Sequence, residues 1–169
     1  RHQGSQEIDR LYALVYNARG NIFVRTSQVD SACYCYLKSF DYANRGGKRE
    51  VLPDICLNLA DVYVKQGRYD LGSLWYNRSL TIADSLNMPD EQRFPAYYGL
   101  AQVNMELRDF SACDYYYDLA YKYYDKMHPF EKHIYLNNRG NSYYYRQDYM
   151  TALKYFRRSL AVVNQYPDM

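Results

Sequence analysis

A pattern of small and bulky residues that recurs four times most constrains what this chain can fold into. Residues 16–36, 56–76, 97–117 and 136–156 align without gaps, and the four segments begin at nearly equal intervals along the chain. An internal repeat of this kind indicates one supersecondary unit used several times. Three of its columns contain only small residues: Gly20, Ala60, Ala101 and Gly140; Ala32, Gly72, Cys113 and Ala152; and Ser39, Ser79, Ala120 and Ser159.

Bulky residues fill four further columns of the alignment. Within each half of a copy, the columns are spaced by three, four or seven residues, which places them on one side of an α-helix. Because small residues opposite large ones let two helices approach closely, each copy is predicted to be a helical hairpin in which the tyrosines of these columns are packing residues. Fifteen of the sixteen bulky positions are apolar or aromatic, Asn104 being the exception: Phe23, Tyr63, Asn104 and Tyr143; Val29, Tyr69, Phe110 and Tyr149; Tyr36, Tyr76, Tyr117 and Phe156; and Phe40, Leu80, Tyr121 and Leu160.

The positions of proline and glycine support the same interpretation. A proline suits the first turn of a helix but breaks a helix interior, and Gly46 and Gly47 fall where the first hairpin would end. The chain is therefore predicted to be all-α, with breaks between the copies. All five prolines lie there: Pro53, Pro89, Pro95, Pro129 and Pro167.

The copy at residues 56–80 resembles the tetratricopeptide repeat. The resemblance extends over residues 13–166 and implies a right-handed α-solenoid of about four helix-turn-helix hairpins, at about 13–46, 53–86, 94–127 and 133–166, in a single array over residues 1–169. A tyrosine-rich repeat with a period of about 40 residues, rather than the usual 34, is similar to the arrays of bacterial regulatory proteins. The residues that match the family signature are Leu59-Ala60, Tyr63, Gly67, Tyr69, Gly72, Tyr76 and Ser79-Leu80.

Three residues depart from the pattern of this family. Arg19 and Arg139 stand where leucine usually precedes the first small residue, and Asn104 stands at an aromatic position. Together with the long period, these departures predict longer helices or connectors and some looseness in the third hairpin.

Composition and motifs argue against several classes of function. The longest apolar runs are far shorter than the roughly 18–20 residues of a transmembrane helix, so we expect no membrane insertion. The net charge is +2, with basic residues scattered among acidic ones, so no nucleic-acid contact by this segment is expected. The histidines lie outside any metal-binding frame, and phosphate-binding and nucleophile-elbow motifs are lacking. The sequence therefore predicts no enzyme, no metal and no cofactor.

The four cysteines are predicted to be small buried apolar residues. They are Cys33, Cys35, Cys56 and Cys113, which form neither a paired zinc motif nor a dense disulfide framework. Cys33 and Cys35 lie two residues apart, so on a helix they would point in roughly opposite directions and could not form a disulfide. Unpaired cysteines favour the cytoplasm without excluding the periplasm.

In the tetratricopeptide family the first helices of successive hairpins line a concave groove. Amides dominate the matching positions here, and each amide can offer a donor and an acceptor to the backbone of an extended peptide. The alternative is that these side chains line the groove but contact only solvent, and bind no peptide. The resemblance assigns the groove to Asn17, Asn21, Arg25, Asn58, Asp61, Lys65, Tyr98, Gln102, Glu106, Asn137, Asn138, Asn141 and Tyr145.

Some members of the family instead clamp a terminal carboxylate with basic residues of three consecutive hairpins. Asn21 and Asn58 match that clamp, but Pro95 and Gly99 stand where its third-hairpin basic residues belong. Recognition of a chaperone carboxyl terminus is therefore not expected.

Two hypotheses about function remain at this point. The first is a non-catalytic scaffold whose groove binds a protein or peptide segment, as the regulatory or sensor part of a larger bacterial protein. The second is a structural module that self-associates without a groove ligand. The interval from Pro129 to Pro167 is close to the repeat period, so the end of the sequence resembles the start of another hairpin. The last helix would then leave Tyr155, Leu160 and Val163 partly uncovered, and homo-oligomerisation through this C-terminal hairpin is one way to cover them.

Overall fold

The predicted all-α architecture is confirmed by the computed structural model, which describes residues 3–166 apart from the side chains of Gln3 and Asp90. This range contains no strand, and every helix in it is too short or too polar to cross a lipid bilayer. Pro167 lies outside the described residues. The α-helices are α1 (Gln3–Arg25), α2 (Val29–Arg45), α3 (Leu52–Lys65), α4 (Tyr69–Ser85), α5 (Phe94–Glu106), α6 (Phe110–Tyr121), α7 (Pro129–Tyr145) and α8 (Tyr149–Gln165). Short 3-10 helices, Arg49–Val51, Asp90–Arg93 and Tyr124–Lys126, precede α3, α5 and α7.

The chain divides into two compact units, Arg1–Gly99 (unit 1) and Leu100–Met169 (unit 2). In unit 1, α1 packs against α2 and α3 against α4, while α2 also packs against α3. In unit 2, α7 packs against α8, and α6 contacts α7. Packing of consecutive helices in adjacent pairs confirms the predicted α-solenoid class. α1 begins at Gln3, well before residue 13, where the first repeat was expected to start.

All twelve residues of the small columns are buried, as the alignment predicts. A Cβ atom built on Gly20 would lie 2.5 Å from the ring of Tyr36, and one built on Gly140 would lie 2.6 Å from the ring of Phe156. Each ring belongs to the second helix of the same hairpin. The two helices therefore approach closely where a small residue faces an aromatic one.

Serine in the third small column makes a hydrogen bond that small size alone does not predict. In three hairpins its hydroxyl donates to a backbone carbonyl of the first helix, and the two residues always have the same separation in the sequence. The bond satisfies a buried hydroxyl and ties the two helices together. The three bonds are Ser39 to Ala13 (2.8 Å), Ser79 to Pro53 (3.0 Å) and Ser159 to His133 (3.1 Å).

The turn inside each hairpin places one residue in the left-handed conformation, always at the same column. The φ angles are 58° for Ser27, 72° for Gly67, 60° for Arg108 and 64° for Gln147. The N–H groups of this residue and the next one donate to carbonyls of the last helical turn, which is the pattern of a Schellman cap. Only Gly67 is a glycine, so a side chain is strained at the other three turns.

Residues of the bulky columns are more exposed to solvent at the C-terminal end of the described chain. The prediction that Tyr149 is a packing residue is wrong, because 57% of it is exposed and its ring only meets the edge of Tyr144. Its counterpart Phe110 is covered by the guanidinium of Arg146, the residue that follows α7, 4.9 Å from the ring centre. In the described residues no helix follows α8. Leu160 is 58% exposed, as expected for the last helix.

Three of the four cysteines are buried and Cys33 is half-buried, and none of the four is in a disulfide. Burial raises the pKa of Cys56 to about 12 and that of Cys113 to about 11, the latter also through the nearby Asp114. Both therefore remain unreactive thiols at neutral pH. The prediction of buried apolar cysteines is confirmed for three of them.

Candidate functional site

Five of the residues predicted for the groove line one pocket in unit 1, on the first helices of the first two hairpins. The pocket has a volume of about 270 Å³. Lining residues on each helix are spaced by three or four positions, so each helix presents one face to the pocket. The lining residues are Asn21, Val24, Arg25, Tyr36, Asn58, Asp61, Val62 and Lys65.

A hydrogen bond between two amides joins α1 and α3 beside this pocket. Asn58 Nδ2 donates to Asn17 Oδ1 at 3.1 Å. An amide carries both donor and acceptor groups, so the pair keeps the carbonyl oxygen of Asn58 and the amide nitrogen of Asn17 for a further partner. The sixth groove residue of these two hairpins, Asn17, thus lies next to the other five.

Buried tyrosines of the second helices hold two of the pocket residues in place. Tyr36 Oη donates to Asn21 Oδ1 at 2.7 Å, and Tyr76 Oη donates to Asp61 Oδ1. Burial raises the pKa of Tyr36 to about 12, helped by the nearby Asp61 and Cys35, so its hydroxyl remains a donor at neutral pH. Both tyrosines follow their partners by 15 residues, and this recurring spacing is the signal of these bonds in the sequence.

The charge of the pocket comes from Arg25, Lys65 and Asp61. Loss of water around the carboxyl raises the pKa of Asp61, while the hydrogen bond from Tyr76 and the positive charge of Lys65 lower it. Asp61 as a whole residue is nevertheless exposed, like both basic residues, so all three can be reached from solvent. Two positive charges and one negative charge leave the pocket with an excess of one positive charge when Asp61 is ionised.

Six of the eight lining side chains of this pocket are polar or charged. The pocket offers amide donors and acceptors, charged groups and the apolar edges of two valines, and its lining includes no serine, cysteine or histidine. Among residues 3–166, no group of three or more His, Cys, Asp or Glu side chains could hold a metal ion. The tetratricopeptide pattern is itself usually non-catalytic.

The remaining predicted groove residues are not among the lining residues of this pocket. Tyr98, in unit 1, is half-buried with its ring 5.8 Å from that of Phe94. In unit 2, the half-buried residues Gln102, Asn137, Asn138 and Asn141 include one amide pair, with Asn141 Nδ2 donating to Asn138 Oδ1 at 3.4 Å. Tyr145 is 56% exposed and lines a smaller pocket of about 160 Å³ together with Met105, Glu106 and Arg108.

Unit 2 contains a cluster of charged residues that the sequence analysis missed. Arg139 is only 5% exposed and pairs with Asp114 at 3.2 Å and Asp118 at 3.0 Å. Arg146 makes two further hydrogen bonds to the carboxylate of Asp114, both 2.7 Å long. The spacing of Asp114 and Asp118, four residues apart on α6, was the available signal. The arginine that departs from the family pattern is thus neutralised by the preceding helix.

Comparisons with known proteins agree with this architecture. A tetratricopeptide repeat model matches residues 53–85, and no curated protein matches the chain. Solved structures do match it, among them the crystal structure of BtubC (BKLC) from P. vanneervenii, with a TM-score of 0.79 and 16% identity. The match covers 93% of this chain and 65% of that one, so the chain spans less than two thirds of the solved protein. At this identity the likeness shows the fold alone.

Proposed function

Because this chain is a tetratricopeptide-like repeat protein, we propose that it is a non-catalytic binding scaffold that holds an extended segment of a partner protein in the unit 1 pocket. Repeats of this type generally mediate protein–protein interaction. The observation that carries the proposal is the convergence of Asn21, Arg25, Asn58, Asp61 and Lys65, five residues predicted from a repeat register, on one pocket. The scaffold would serve as the regulatory or sensor part of a larger bacterial protein.

The polar groups that remain available suit the main chain of a peptide. Asn58 keeps an acceptor and Asn17 keeps a donor, while Asn21 uses its carbonyl for Tyr36 and keeps its amide nitrogen. An extended peptide backbone presents N–H and C=O groups in alternation, so a row of donors and acceptors can bind it while reading little of its sequence. Arg25 and Lys65 add a preference for an acidic side chain of the ligand.

An internal segment fits this site better than a chain terminus. At the third-hairpin position where a terminal-carboxylate clamp needs a basic side chain, Gly99 lies against the ring of Tyr76, with the nearest ring atom 2.2 Å from a Cβ built on the glycine. No side chain can occupy that position unless Tyr76 moves. The ligand is therefore held through its backbone and its side chains.

The test selects random phage-displayed peptides on the immobilised full chain and measures their binding to variants. Arg25→Glu combined with Lys65→Glu is expected to weaken the selected peptides by about tenfold or more, because it reverses the charges of the pocket. Asn21 is left intact because its carbonyl satisfies the buried hydroxyl of Tyr36. The matched control, Lys122→Glu with Arg157→Glu, makes the same charge change at exposed residues of unit 2 and should leave binding unchanged.

Two results would count against the pocket. Selected peptides that bind the pocket variant as well as they bind the unchanged chain would show that they bind elsewhere. A failure to select any peptide, combined with a concentration-dependent increase in mass that Leu160→Glu abolishes, would favour the self-association module. The exposure of Leu160 is the observation that keeps this second function open.

A further inference from the structure

One side of α1 exposes a continuous apolar stripe. Ile8, Leu11, Tyr12, Val15 and Ile22 are each between 47% and 60% exposed. At 100° per residue, these positions fall within a sector of about 100°, and Arg19 lies inside this sector, toward the edge formed by Tyr12. Surface helices of folded proteins normally turn such a stripe toward a partner.

The corresponding residues in the other hairpins show what packs against this side of α1. Tyr12, Val15, Arg19 and Ile22 correspond to Leu52, Ile55, Leu59 and Val62 of α3, all of which are buried. α3 packs against α2, the second helix of the hairpin before it. In α7 three of the four corresponding residues, Tyr135, Arg139 and Ser142, are buried, while Lys132 is half-buried. α7 also contacts α6, the helix before it. The exposed side of α1 is therefore the side that receives a helix elsewhere in the chain.

The positive charge of Arg19 restricts which side chains a helix docked on this side of α1 can carry. It lies over the ring of Phe23 with its guanidinium carbon 5.3 Å from the ring centre, and Arg139 lies over the corresponding Tyr143 at 5.5 Å. Arg139 is neutralised by Asp114 and Asp118 of the helix packed on it. Within the described part of the chain, Arg19 makes no ion pair, and it borders an open pocket of about 300 Å³. Desolvating Arg19 beneath a helix requires a carboxylate partner.

We propose that this side of α1 is a docking surface for an amphipathic α-helix of a partner protein that carries two carboxylates four residues apart. The carboxylates would pair with Arg19, as Asp114 and Asp118 pair with Arg139. Apolar side chains of the partner helix would cover Tyr12, Val15 and Ile22. This surface is separate from the unit 1 pocket, so the two proposals stand or fall independently.

A second copy of this chain does not supply the required helix. The positions of α8 that correspond to Asp114 and Asp118 are Leu153 and Arg157, both exposed. Stacking α8 of another copy on α1 would place Arg157 beside Arg19, and like charges brought together without solvent repel. The occupant must instead have the charge pattern of α6.

A constrained helical peptide with the α6 sequence, Asp109–Lys122, is the probe. Its binding to the full chain is measured by fluorescence anisotropy. We expect saturable binding that falls by about tenfold or more when Asp114→Asn and Asp118→Asn are introduced in the peptide. Arg19→Glu in the chain should cause a similar loss, whereas Lys122→Glu, at an exposed residue of unit 2, should not.

A charge swap makes the test specific to the pairing. A peptide with Asp114→Lys and Asp118→Lys should recover binding to the Arg19→Glu chain, and thermal unfolding of that variant checks that it remains folded. Absence of binding by the unchanged peptide, or binding that ignores both charge changes, would overturn the proposal. So would a dimer of the chain alone, seen by sedimentation and abolished by Val15→Glu, because a second copy would then occupy the stripe.

Discussion

Replacing Gly99 by alanine is expected to destabilise unit 1 by about 3 kcal/mol. A Cβ atom on Gly99 would lie 2.2 Å from Cζ of Tyr76 and 2.5 Å from Cε1. Ordinary van der Waals contact begins at 3.4 Å, so the ring must retreat by the difference between 3.4 and 2.2 Å. Tyr76 is only 4% exposed, and its hydroxyl donates to Asp61. The ring cannot retreat that far without disturbing the hydrogen bond.

Three effects contribute to the change in the free energy of unfolding that we expect for Gly99→Ala. Overpacking a core costs about 1–3 kcal/mol, and losing a hydrogen bond to a charged group costs about 1.5–3 kcal/mol. Alanine is favoured over glycine inside a helix by about 1 kcal/mol, which offsets part of the loss. The balance is about 3 kcal/mol, and for a chain of this length it corresponds to a decrease in Tm of about 6–12 °C.

Urea and thermal unfolding, followed by far-UV circular dichroism, measure the effect of Gly99→Ala. The matched control is Gly4→Ala, also in a helix, where nothing lies within 4 Å of the added Cβ and stability should hold or rise slightly. In a Tyr76→Leu background the ring is gone, so most of the cost of Gly99→Ala should disappear. An equal cost in both backgrounds, or a Gly99→Ala variant as stable as the control, would refute the reasoning.

Three further predictions concern unit 2. Arg108→Gly should stabilise it by about 1 kcal/mol, because glycine relieves the left-handed conformation at φ 60°; chemical denaturation measures this, and an unchanged or lower midpoint would contradict it. Asp114→Asn should cost about 2–3 kcal/mol in the same assay, because it removes the more buried of the two carboxylates paired with the buried Arg139; a neutral result would mean that the cluster adds nothing to stability. Hydrogen bonds from the side chain and backbone of Thr151 lower the pKa of Asp148, so its contribution to stability is present above the unfolded pKa and is lost as pH falls through the folded value. Asp148→Ala should therefore lower the Tm more at pH 7 than at pH 2, and an equal decrease at both pH values would argue against the cap.

The fold could be predicted because close packing of two helices leaves a periodic trace in the sequence. Gly20 must be small because the ring of Tyr36 lies against it, and the same constraint recurs once in each copy of the repeat. Hydrogen bonds are harder to predict from the sequence than close packing. Ser79 satisfies the size rule of its column whether or not its hydroxyl reaches the carbonyl of Pro53, so the bond could not be predicted from the column.

The pocket could be predicted only in part, for a different reason. The position of a residue in the repeat indicates which side of its helix it occupies. Asn21, Asn58 and Lys65 could therefore be predicted to line the same groove. That position does not tell which columns of neighbouring helices meet. The pairing of Arg139 with Asp114 depends on how α6 lies on α7, so the arginine looked like a departure from a family pattern rather than half of an ion pair. Tyr149 was mispredicted because cover depends on a following helix.

Under the proposed function, only some of the pocket residues can vary to change which ligand is bound. Asn21 and Asp61 accept hydrogen bonds from buried tyrosines of the second helices, so replacing either residue would leave a buried hydroxyl without its acceptor and would disturb the hairpin. Arg25 and Lys65 are exposed and carry no comparable structural bond. Selection can therefore change these two residues without cost to the fold. Relatives with the same fold and a different partner should differ at these basic positions first and keep the tyrosine-bonded pair.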